Sequence, residues 1–67
     1  MNESTLTEAA RSLLFDLDNG DIQMSRIIDL GLMAAFDELH DNGLAEINPG
    51  RSGQLGSIVP GTDPSEY

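Results

Sequence analysis

The chain has no cysteine, no lysine and no tryptophan, a single histidine, and no long apolar run. Without cysteine, disulfide staples and thiolate-bound metal sites are excluded. Without lysine, the only side-chain cations besides His40 are three arginines, set against 12 Asp and Glu, for a formal charge of −9. Such a surface repels phosphate backbones and anionic headgroups, so direct binding to nucleic acid or membrane is disfavoured and a basic protein is the favoured partner. The longest weakly charged apolar stretch, IIDLGLMAAF, covers only residues 27–36 and is interrupted by Asp29. Spanning a bilayer takes about eighteen residues. The opening MNESTLTEAARS lacks a basic segment followed by an apolar one, so no secretory signal is visible and the chain reads as cytoplasmic. At 67 residues it forms one small core, which supplies about 3–5 kcal/mol at best, and partner association is the natural supplement.

What is present is helical periodicity. Thr5 and Glu8 form a T-x-x-E capping box, and Leu6, Ala10, Leu13 and Leu17 recur at helical steps, flanked by Ala9 and Leu14. Asn19-Gly20 ends this first helix, placed at about residues 5–18. Asp21 can cap a second helix over about 21–42, with a seam of Met24, Ile28, Leu32, Ala35, Phe36 and Leu39, stopped by Asn42-Gly43. Each stop is preceded by aspartate, so Asp-Asn-Gly occurs twice; neither set of flanks has the alternation a hairpin needs. From Leu44 onward lie four of the seven glycines and all three prolines. The expected fold is therefore mainly α: a helical hairpin over residues 1–43, then a Gly/Pro-rich, partly flexible extension over 44–67, extended or folded as a short β-hairpin of LAEI and LGSIV.

The middle of the second helix reads as apolar nearly all round, because Ile27, Leu30 and Ala34 fall away from the main seam. A two-helix hairpin covers one flank of such a helix, so the other requires a partner, a second copy or the tail. Gly31 permits a close helix crossing there or marks a kink.

No chemical constellation is complete. A calcium loop starting at Asp16 finds Asp18 at position 3 but Gly20 at 5, Asp21 at 6 and Ile27 where the bidentate Glu belongs at 12. His40 alone builds neither a zinc site nor a dyad, and sits well as a cation on a helix C-terminus. Gly50, Gly53 and Gly56 lack the spacing, lysine and following helix of a phosphate loop. The carboxylate neighbours Asp16 with Asp18 and Asp37 with Glu38 have no evident pocket to raise a pKa. No catalytic, cofactor or metal residues are assigned. The run AAFDELHDNGLAEINPGRSGQLGSIV also looks like the last helix, strand, wing and strand of a winged helix. Against it stand the acidic character of that helix and the short span from DLG at 29–31 to NGL at 42–44.

The sequence thus points to a small acidic, non-catalytic protein-binding module, an adaptor or inhibitor. Its contact surface is expected at Ile27, Leu30, Met33 and Ala34, with Asp37 and Glu38 steering a basic partner, or a second copy through self-association. One alternative is a ribosomal peptide precursor with residues 1–43 as leader and residues 50–62 as the modified segment; Leu55, Ile58 and Val59 would then be its modified or docking patch. A second is a nucleic-acid mimic whose carboxylates block a DNA- or RNA-binding protein.

Overall fold

The structure, a computed structural model, describes residues 6–67. Helix α1 spans Glu8–Asn19 and is capped by Thr7, whose hydroxyl oxygen accepts from the Ala10 N–H. Thr5 of the expected capping box lies outside the described residues, and the cap sits two residues later. Ala10, Leu13, Leu14 and Leu17 form the buried face of α1, as the period required. The helix stops at Asn19-Gly20, where the Gly20 N–H donates back to the Leu17 carbonyl.

The expected second helix is not one rod. Residues 21–42 divide into a two-residue strand β1 (Ile22–Gln23), a short helix α2 (Met24–Asp29) and a helix α3 (Met33–Asp41). Gly31 makes the break. Its N–H donates to the Ile28 carbonyl at 3.0 Å and the Leu32 N–H to the Ile27 carbonyl at 2.9 Å. These are the paired bonds of a helix C-terminus closed by a left-handed residue, and Gly31 has φ +74°. The same pair of bonds ends α3, from Gly43 to His40 and from Leu44 to Leu39.

The C-terminal third is sheet, which overturns the expected helical hairpin with a trailing extension. Strand β2 (Ala45–Gly50) turns through Arg51-Ser52 into β3 (Gly53–Ile58), and β3 lies between β1 and β2 in an all-antiparallel sheet of order β1-β3-β2. A short 3-10 turn, Pro64–Glu66, follows. One helix, a strand, two helices across a tight turn and a two-stranded hairpin thus follow one another along the chain, a small mixed α/β fold. Residues 21–42 hold a strand, two helices and a turn because α2 and α3 are only 6 and 9 residues long.

Helices and sheet share one core, with Phe36, Leu13, Leu14, Leu17, Ile27 and Leu39 its largest fully buried side chains. Gly56 is where β3 touches that core: a Cβ there would lie 2.8 Å from Phe36 Cε1 and 3.0 Å from Ile27 Cδ1. The outer edge of β2 is self-protecting. The Val59 N–H donates to Leu44 O, and with register Ala45↔Ile58 through Gly50↔Gly53 the alternation puts Ala45, Ile47 and Pro49 at the outward-bonding positions. Pro49 therefore loses no ladder bond, and it denies an incoming strand a donor.

Candidate functional site

The features left to present a surface are a helix, the turn before it and the tip of the hairpin. In this chain these are α3, the turn Leu30-Gly31-Leu32, and the β2–β3 tip at Arg51-Ser52. The break at Gly31 decides which side chains reach the surface.

The residues expected to form one partner surface separate. Ile27 is fully buried; it packs in the core beneath Gly56 and presents nothing outward. Leu30, capping the C-terminus of α2, is 56% exposed. Met33 opens α3 half-buried against the core. Ala34 and Asp37 are exposed on α3, where their three-residue spacing puts them on one face together with Asp41. Leu55, Ile58 and Val59 are half-buried; Leu55 and Ile58 belong to the central strand and Val59 extends its pairing.

Glu38 has an internal task. Its Oε2 accepts from the Thr7 N–H at 2.8 Å and its Oε1 from the Thr7 hydroxyl at 2.9 Å, while that hydroxyl accepts from the Ala10 N–H at 3.2 Å. In a capping box a glutamate three residues into the helix reaches back to the cap N–H. Here that position is Ala10, and a carboxylate from another helix takes over. Sequence reasoning could not find this, since 31 residues separate the partners.

The outward face of α3 is thus Ala34, Asp37 and Asp41, two carboxylates four residues apart on a helix without arginine. His40 is also exposed, its ring 6.5 Å from that of Phe36 and inclined by 30°, an ordinary aromatic contact. Sequence reading missed Ile28, which it placed on the buried seam and which is 59% exposed. Arg51 stands exposed at the tip of the β2–β3 hairpin.

Among the described residues no three His, Asp or Glu side chains converge to hold a metal ion, and no pocket indents the surface. Ser57 Oγ is buried in β3 without a hydrogen-bond partner among the described residues. No helix among the described residues is long and apolar enough to cross a membrane. No protein family, curated protein or solved structure matches this chain.

Proposed function

We propose that this chain is a non-catalytic, cytoplasmic protein-binding module that docks through the turn at Leu30 and the outer face of α3 onto a basic partner. The observation that supports this reading is the composition of that face: Ala34, Asp37 and Asp41, led by an exposed Leu30, at the place where the fold projects a helix. Leu30 supplies an apolar anchor, and the carboxylates accelerate encounter with a cationic surface and reject an anionic one. A second copy is disfavoured as the occupant, because two such faces would set Asp37 and Asp41 against each other.

The topology itself favours a second reading. A helix across a tight turn, beside a wing tipped by Arg51, is an arrangement suited to a DNA groove. Charge argues against it: a face with two carboxylates would meet phosphates with repulsion, and Arg51 is the lone wing cation. The mimic reading shares the acidic face and differs in its target, a nucleic-acid-binding protein. The peptide-precursor reading draws no support from the fold, since residues 53–58 are the middle strand of the sheet.

The test is capture of partners by the wild type, by Leu30→Asp and by Asp37→Arg/Asp41→Arg, with circular dichroism as a check on folding. A basic protein retained by the wild type and lost with both folded variants is the expected result. Competition of that protein by duplex DNA would favour the mimic. Direct binding of the wild type to duplex DNA, measured by fluorescence anisotropy between 0.1 and 1 M salt, about the range over which screening changes most, would replace the proposal with the second reading.

A further inference from the structure

The two Asp-Asn-Gly triplets stop helices, but Asn-Gly is also the dipeptide that most readily deamidates through its own backbone. The glycine nitrogen, after losing its proton to water, attacks the asparagine side-chain carbonyl. A C–N bond forms, the Cγ–Nδ2 bond breaks and ammonia leaves; water then opens the succinimide to aspartate or isoaspartate. No oxidant or enzyme is needed. Glycine favours the reaction because no Cβ obstructs the ring closure.

Both junctions are held against this chemistry, to different degrees. At Asn42 the side-chain amide donates to the Glu38 carbonyl at 2.8 Å, and the attacking nitrogen, that of Gly43, donates to His40 O at 3.0 Å. The next amide, Leu44, donates to Leu39 O at 2.9 Å, and the Leu44 side chain is buried at the entrance to β2. Freeing Gly43 therefore pulls on the core. At Asn19 the side-chain amide donates to Phe15 O at 3.2 Å and the Gly20 N–H to Leu17 O at 3.1 Å. Both triplets are exposed, but where Gly43 is followed by the buried Leu44, Gly20 is followed by the exposed Asp21, so the Asn19 junction is less firmly tied to the core on its C-terminal side.

We propose that Asn19 is a site of spontaneous deamidation in the folded protein and that Asn42 is protected by its fold. Each event at Asn19 adds a carboxylate to a chain already at −9, and the isoaspartyl product inserts a main-chain methylene at the junction of α1 and β1. Local opening free energies range from near zero at frayed ends to the global value in core elements, and the difference between these junctions sets the rate ratio.

The experiment uses the full chain, incubated at mildly alkaline pH with and without urea, then cut by trypsin. Cleavage after Arg11, Arg26 and Arg51 puts Asn19 in the peptide 12–26 and Asn42 in the peptide 27–51. Asn48 in the latter precedes Pro49, whose nitrogen carries no proton and cannot close the ring. Mass spectrometry reads replacement of the amide by a hydroxyl in each peptide. The folded protein is expected to convert Asn19 about tenfold faster than Asn42, the ratio that a difference of about 1.4 kcal/mol in opening would give. In urea the two rates should converge, since the triplets are identical. Equal rates in the folded state, a faster Asn42, or an Asn19 that stays intact while the urea sample is fully converted would each overturn the proposal.

Discussion

Gly56 and Ile27 meet across the interface of sheet and helices, and each shows how one atom group decides a position. A methyl at residue 56 would sit 2.8 Å from Phe36 Cε1 and 3.2 Å from Met24 Sδ. Gly56→Ala is expected to destabilise the fold by about 1–3 kcal/mol through overpacking, read as a lower urea midpoint with an unchanged slope. In the sequence Gly56 looked like one of three glycines in a loose segment, because a close approach to a distant ring leaves no local mark. Ile27 was misread for a related reason: a continuous helix carries it to the far flank, whereas the break at Gly31 leaves it facing Phe36. Substituting Ile27→Asp buries an unpaired carboxylate, at a cost of several kcal/mol, comparable to the whole stability of a domain this size. Far-UV circular dichroism should show that variant unfolded, while Leu30→Asp, at a surface position, should stay within about 0.5 kcal/mol of wild type.

At the scale of elements, what could be read was what is local. The apolar steps of α1 and both Asp-Asn-Gly stops rest on neighbours within a turn, and the structure has them where the sequence puts them. The break between α2 and α3 was hidden because Met24, Ile28, Leu32, Ala35 and Leu39 keep helical spacing across it; Gly31 alone signals it, and a mid-helix glycine has other uses. Strand pairing was hidden too, since β1 has two residues and gains its place only by bonding Gly56 and Leu55, more than thirty positions away. The cross-helix cap is likewise non-local, and it can be measured. Thr7→Ala should cost about 1 kcal/mol, as for other caps, and Glu38→Ala a similar amount. The double mutant should fall short of the sum by about 0.5–1 kcal/mol, since the two groups bond each other. Strict additivity would mean that the Thr7 hydroxyl and the Glu38 carboxylate are not coupled, leaving the carboxylate only its bond to the Thr7 N–H. At the other end of the chain, hydrogen bonds from the Ser65 hydroxyl and then the Ser65 N–H hold the Asp63 carboxyl below its ordinary pKa. A carboxyl depressed in the folded state adds stability above its unfolded pKa and loses it as pH falls through the folded one. The 3-10 turn should therefore fray only at pH below the usual carboxylate range. Ser65→Ala should raise the Asp63 titration midpoint in NMR and bring fraying to higher pH.

For the molecule as a whole the dominant feature is charge without compensation. The formal charge of −9 in 67 residues leaves most carboxylates without a cation to pair with. Two like charges about 15 Å apart repel by roughly 0.3 kcal/mol in unscreened water. Many such pairs act at once in the folded state and relax when the chain expands. At about 0.01 M salt the Debye length is near 30 Å, so most pairs across the molecule are felt; at about 1 M it is near 3 Å and almost none are. The folded state should accordingly gain on the order of 1–3 kcal/mol between these limits, a large share of what a single core this small can supply. Urea midpoints in potassium and sodium chloride should rise together, because screening depends on ionic strength and not on the cation. A midpoint that ignores salt would show that the carboxylates lie far enough apart to be tolerated. A rise with one cation alone would point to specific binding. The expected joint rise also bears on function, for the same repulsion is relieved when a cationic partner covers Asp37 and Asp41. Binding such a partner should therefore stabilise the fold most at low salt and progressively less as salt takes over the screening.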